Sequence, residues 1–199
     1  MAFPFENILG KVASVAWERK DTEFLESFRP NQIRSKTILV NKIMQCGIRS
    51  FDRVAVLGAW NGLLLYELMK DHVGHWDFYD LDDSVIWDRK RYFEINQMDQ
   101  NYNDITGDAV KMFKHTNMAE SYDLVINPSC EHMDDIPAIP GPLYALTSNN
   151  YVQVEEHINT IERSEDLAIK NNINNVLHSG KIKIKRPVPY DRYYTIGYA

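Results

Sequence analysis

From Phe51 to the C-terminus, short apolar runs alternate with amphipathic ones, and that alternation predicts strands interleaved with helices. RVAVLGA (53–59) is almost wholly apolar and carries two β-branched valines, as a strand buried on both faces requires. LLLYELMK (63–70) reads as a helix and HWDFYDLD (75–82) as a second strand ending in acids. Asp83 or Ser84 can then cap a helix carrying Val85, Ile86, Tyr92, Phe93 and Ile95. NDIT (103–106) makes a short third strand, Ala109 to Lys114 a helix, and YDLVIN (122–127) a fourth strand. Residues 128–141, PSCEHMDDIPAIPG, are broken by prolines and a glycine into a loop, and loops of that length are often functional. LYALTSN (143–149) is a fifth strand, and Val154 to Leu177 reads as one long helix with Gly180 near its C-cap. KIKIKR (181–186) and YYTIGY (193–198) have strand composition around a Pro187-Val188-Pro189 turn, which makes them an antiparallel pair. Strands alternating with helices imply parallel pairing with right-handed crossovers, so the expected body is a three-layer α/β sheet, mostly parallel, finished by an antiparallel hairpin.

Residues 1–50 have a different texture. Phe24, Phe28, Ile33, Ile38, Leu39, Ile43 and Met44 recur at mostly helical spacing, with Pro30 where one helix should end and the next begin, and Gly47 closing the second. Ahead of them Phe3, Phe5, Ile8 and Leu9 form an amphipathic start that seeks a core. The expected organisation is an N-terminal helical cap, 1–50, on an α/β core, 51–199.

Composition narrows the function classes. At 199 residues, 44% hydrophobic and 25% charged, the chain matches an ordinary globule with one full core. A net charge of -6 provides no general positive field, which disfavours non-specific nucleic-acid and acidic-membrane binding. Only Cys46 and Cys130 are present, too few for a disulfide framework or a Cys-rich zinc site. No apolar run reaches the roughly 20 residues that span a bilayer. The first residues carry Glu6 within their apolar stretch and no basic leader, so a cytoplasmic location is the expectation.

The sharpest chemical signal is Leu57-Gly58-Ala59-Trp60-Asn61-Gly62 between a buried strand and a helix. A tight turn there lets backbone N–H groups and the bare face of glycine approach a ligand beyond the strand's carboxyl end, although two glycines also suit a plain connecting turn. Asp80 follows about 20 residues beyond Gly58, at the end of the next strand, where a carboxylate can hold ribose hydroxyls. Asp82 lies in the same loop, and either acid can instead dress a helix N-terminus. Gly107-Asp108-Ala109 repeats the strand-end placement: Asp108 can accept from an adenine amino group or simply N-cap the next helix.

Taken in order, VAVLGAWNG, FYDLDDS, TGDA and YDLVINPS resemble motifs I to IV of the class I S-adenosylmethionine-dependent methyltransferases, over residues 51–199. The resemblance implies a Rossmann-like sheet and S-adenosylmethionine as cofactor. It implies Gly58, Ala59, Trp60 and Gly62 beside the cofactor's methionine part, Asp80 on the ribose diol and Asp108 at the adenine. Two positions depart from the family pattern: Trp60 stands at the middle glycine of the usual G-x-G-x-G, and Val56 where an acid is common. An indole there can line the pocket beside a sulfonium or fill it. A nicotinamide cofactor fits less well, since its fingerprint asks for glycine at both Trp60 and Leu63.

On the acceptor side, Asn127-Pro128-Ser129-Cys130 keeps two residues of the D/N-P-P-aromatic element of amino-methylating relatives and changes the other two, so a nucleobase amine is a minority option. Glu131 and His132 follow where an acceptor would be presented. His132 can take a proton as the methyl group transfers, or merely bond its own loop. A metal cluster of Glu131, His132, Asp134 and Asp135 competes with plain solvation of loop acids. Cys130 reads as buried packing rather than as a nucleophile. Gln32 and Lys36 share one helical face and can point at the cofactor carboxylate or at a substrate anion, or into solvent. Lys181, Lys183, Lys185 and Arg186 set alternating lysines on one strand face, which can guide a phosphate backbone or, as edge strands do, resist aggregation.

The function expected is therefore methyl transfer from S-adenosylmethionine to a small molecule, a nucleotide or a protein side chain, with Asn127, Glu131 and His132 on the acceptor side. The competing expectation is a catalytically silent nucleoside-binding or assembly module that keeps the fold.

Overall fold

A computed structural model describes residues 5–19, 23–99, 101–114, 117–185 and 187–199. The buried apolar run at its centre forms β1 (Phe51–Leu57), in which Val54 to Leu57 are all sequestered from solvent. Around it lie β2 (Val73–Asp80), β3 (Tyr102–Thr106), β4 (Leu124–Asn127), β5 (Leu143–Asn149), β6 (Asn175–Ile184) and β7 (Tyr190–Tyr198). They form a seven-stranded sheet in the order β3-β2-β1-β4-β5-β7-β6. The pairs up to β5 are parallel, and β5–β7 and β7–β6 are antiparallel. The order reverses between β1 and β4, and such a switch point opens a crevice beyond the strands' carboxyl ends.

Helices cover both faces. α1 (Phe5–Arg19), α2 (Pro30–Met44), α3 (Leu63–Met69) and α4 (Ser84–Ile95) share one apolar cluster, in which Val12, Leu39 and Ile43 meet Val54, Val56 and Ile196. α5 (Ala109–Lys114) and α6 (Ser164–Lys170) close the other face around Tyr79, Phe113, Tyr144 and Leu167. Pro30 occupies the first turn of α2, where its missing N–H costs nothing. Ile8 of the amphipathic start is buried as expected, whereas Phe3 lies outside the described residues. No helix among the described residues is long and apolar enough to cross a membrane.

Phe24 and Phe28 lie in a 3-10 turn, Glu23–Phe28, ahead of α2, and the larger departure from the sequence pattern follows β5. Instead of a helix from 154 to 177, the chain runs irregularly to α6 and turns into β6 at Asn175. Ile161 is buried but Ile158 is 66% exposed, so the apolar spacing never had a face to bury. Asn171 bonds the Leu167 carbonyl and receives the Ile136 N–H, and Asn172 adopts a left-handed φ of 55°, which ends α6. Gly180 is consequently no cap. It sits inside β6 opposite Tyr194, whose hydroxyl would lie 2.8 Å from a Cβ there. β6 forms a sheet edge, and Lys181 on it pairs with Asp191 at 2.9 Å.

Candidate functional site

At the carboxyl ends of β1, β2 and β3 lies a cavity of about 280 Å³. Gly58, Trp60, Asp80, Asp108 and His132 line it. The bend after β1 is overdetermined. Trp60 carries a left-handed φ of 50°, a conformation costing a non-glycine residue roughly 1 kcal/mol. Its N–H donates to Asp80 Oδ2 at 2.6 Å, and its carbonyl accepts from Arg89 Nη2 at 2.7 Å. Arg89 Nε also donates to the Asn61 carbonyl at 3.0 Å, and Asn61 Nδ2 donates to Ser27 Oγ at 2.8 Å. The peptide geometry of a glycine is thus imposed on Trp60 from outside, and the indole forms a wall of the cavity without closing it.

The candidates divide by position. Asp80 borders the cavity and also receives the Asp82 N–H at 3.1 Å, so its carboxylate is aimed by two backbone donors. Asp108 borders it too while capping α5, through the Lys111 N–H at 3.1 Å, and that bond holds its carboxyl below the usual range. Gly62, by contrast, faces the Phe78 ring, which a Cβ would meet at 2.6 Å, and Ala59 is buried with its N–H on the Tyr79 carbonyl. Neither belongs to the lining. No described residue before Gly58 lines the cavity either.

Asn127 stands back from the cavity. Its amide Oδ1 accepts the Ser129 N–H, and its Nδ2 points at Met133 Sδ, 3.1 Å away. Met133 itself lies across Gly58, its Cε 2.7 Å from where a Cβ would be built. One unbranched side chain therefore covers both the bare face of Gly58 and the Asn127 amide. Gly58→Ala combines that clash with a φ of +60° and is expected to cost about 1–2 kcal/mol in urea unfolding. Adding Met133→Ala should restore only the steric part.

Behind His132 sits a buried ionic group. Glu131 is 1% exposed, and its Oε1 accepts from Asn149 Nδ2 at 2.6 Å and from Arg192 Nη2 at 3.0 Å. Lys36 reaches this group from α2 rather than the cavity. Desolvation, reinforced by Arg192 and opposed by Glu131, pushes its ammonium down to about 8. In the unfolded chain a lysine titrates near 10.4. Below pH 8 both states carry the proton and the full cost of burying the charge is present; between about 8 and 10.4 the unfolded chain binds more proton, so the cost fades as pH rises. Lys36→Met is expected to stabilise the protein by on the order of 3 kcal/mol at pH 7, with the gain shrinking toward pH 10 in urea melts. Desolvation also lowers the His132 pKa, with Glu131 opposing and His157 adding to the drop, so the imidazole is neutral near pH 7. Cys130 is buried with its thiol pushed well up by desolvation, which removes it as a nucleophile.

Sequence reasoning missed three residues here. Arg89, 1% exposed and stacked 4.1 Å over the Phe78 ring, reads in sequence as an ordinary basic residue of a helix. Leu81, 74% exposed at the cavity mouth, was visible as an apolar residue among acids. Met133 carries no signal in a loop.

No protein-family model and no curated protein matches the sequence. Solved structures do match the fold. The N-methyltransferase NodS from Bradyrhizobium japonicum WM9, in complex with S-adenosyl-L-homocysteine, superposes with a TM-score of 0.64 at 11% identity, covering 94% of this chain and 98% of that one. An O-methyltransferase family protein from Burkholderia thailandensis gives 0.54 at 13% identity, over 90% of this chain and 61% of that one. TehB from Haemophilus influenzae gives 0.62 at 12% identity, over 90% and 66%. The chain has the class I methyltransferase fold, and at these identities the likeness speaks for the fold alone.

Proposed function

We propose that the protein binds S-adenosylmethionine in the cavity beyond β1–β3 and transfers its methyl group to a small molecule, a nucleotide or a protein side chain. The observation that carries this reading is the convergence of Asp80 and the Gly58–Trp60 bend on one cavity, joined by the 2.6 Å bond from the Trp60 N–H. The residues suit the cofactor. Gly58 offers no side chain of its own against the methionine part, Asp80 has acceptor capacity for two ribose hydroxyls, and Leu81, Val85, Ala109 and Val110 give an apolar bed for adenine beside Asp108. The bound structure of NodS with S-adenosyl-L-homocysteine supports the same cofactor class.

Bound there, the cofactor would supply an electrophilic methyl on sulfur; the chain's own share is alignment and proton removal. At about 280 Å³ the cavity lies at the lower edge of the roughly 300–1,000 Å³ of small-ligand pockets, and Met133 swinging off Gly58 would enlarge it. The same motion uncovers the Asn127 amide to orient an acceptor. His132, neutral and on the lining, accepts the acceptor's proton at its free ring nitrogen. Glu131 works from behind by fixing the loop that carries His132. Residues 1–50 act as a cap at one remove, through Ser27 on Asn61 and Lys36 beside Glu131.

Met133 lying over Gly58 favours the second reading, a silent module. Calorimetry with S-adenosylmethionine and its demethylated product is the first test: the transferase binds both and a blocked module binds neither, and a turnover assay then separates the transferase from a silent module that still binds. Met133→Ala is expected to tighten both affinities.

A further inference from the structure

We infer that Glu131, His132 and His157 form a binding site for a divalent transition-metal ion at the acceptor side of the cavity. One ligand atom from each of the three lies within 4.8 Å of the others, and the two imidazoles meet edge-to-face with centroids 4.6 Å apart. The carboxylate supplies the independent sign. Glu131 Oε1 is taken by Asn149 and Arg192, while Oε2 is buried without a hydrogen-bond partner among the described residues, and the residue is only 1% exposed. A buried carboxylate oxygen left this way is costly unless something cationic meets it.

The histidines are set up as ligands. His157 Nδ1 lies 2.5 Å from the Tyr151 carbonyl, which can only accept, so Nδ1 carries the proton and Nε2 keeps its lone pair. His132 has a hydrogen bond to the Glu156 backbone, leaving it one ring nitrogen as well. An imidazole anchored by a backbone carbonyl through one nitrogen is the usual arrangement of a metal ligand. Two histidines and one carboxylate leave a coordination position open, and of the three residues His132 is the one that borders the cavity. Metal–nitrogen bonds of about 2.0–2.1 Å would draw the two loop histidines inward. Arg192, bonded to Glu131 Oε1 at 3.0 Å, and the nearby Lys36 ammonium, which feels the Glu131 charge, weaken the site relative to a structural zinc centre. The open position would hold an acceptor heteroatom and acidify it in place of proton removal by His132, a role that rests on the methyl-transfer reading.

The test is titration of the full-length, chelator-treated protein with Co²⁺, read by visible absorption, followed by Zn²⁺ displacement. One equivalent with an intense low-coordinate spectrum is expected, and His157→Asn, at a loop position outside the core, should weaken it by about tenfold or more. His132→Asn provides a second variant, because Glu131 substitutions disturb folding. An unaltered hexaaquo spectrum, or Co²⁺ binding unchanged in both histidine variants, would overturn the site. Calorimetry with S-adenosyl-L-homocysteine on the same sample keeps the two claims apart: Co²⁺ binding without the nucleoside supports the metal site and removes the cofactor reading, and the reverse removes only the metal site.

Discussion

Asp80→Ala is expected to weaken binding of S-adenosyl-L-homocysteine by about 30-fold, or about 2 kcal/mol, in calorimetry. Charge-assisted bonds to the ribose diol account for that loss, and the substitution also strips the acceptor from the Trp60 and Asp82 N–H groups. Trp60 then keeps its left-handed φ with only Arg89 holding it, so the melting temperature should fall as well. Titration well below the melting temperature separates the two effects. Asp82 also borders the cavity, but its Oδ1 receives the Ser84 N–H at the head of α4, so Asp82→Ala should lower stability slightly and cost less affinity than Asp80→Ala. Equal affinities for wild type and Asp80→Ala would remove Asp80 from the cofactor site.

Glu131→Ala should have the largest effect on stability. Removing one member of a buried ion pair leaves the other charge uncompensated, at a cost of about 3–5 kcal/mol. Here the abandoned groups are Arg192, with a side chain 9% exposed, the Asn149 amide, and the Lys36 ammonium whose charge Glu131 favours. Glu131→Leu combined with Arg192→Met removes both charges and should recover most of the loss in urea unfolding, so the two single effects are far from additive. Additive losses would mean that the pair is not the source of the cost.

The middle of the sheet was legible because β1, β4 and β5 are short and buried along most of their length. β5 and α5 fall on the boundaries that the pattern predicts, and β1 shifts by two residues. The failure at 154–177 has a local cause. Val154, Ile158 and Ile161 sit at helical spacing, but Asn159 turns inward to the Met133 carbonyl and Asp135, and a helix would break those bonds. In the site, Gly58, Asp80 and Asp108 were readable from their strand-end positions. Gly62 was read beside the cofactor's methionine part, and the structure sets it against the Phe78 ring, which no sequence signal marks. Arg89 and Met133 were not readable, because their roles arise from contacts 29 residues away in sequence with Trp60 and across a loop with Gly58.

A crystal structure with S-adenosyl-L-homocysteine bound tests the central claim most directly. The ribose diol is expected on the Asp80 carboxylate, the homocysteine chain against Gly58, and Met133 rotated away from it. Nucleoside density anywhere else, or Met133 still seated on Gly58 beside an empty cavity at saturating ligand, would contradict it.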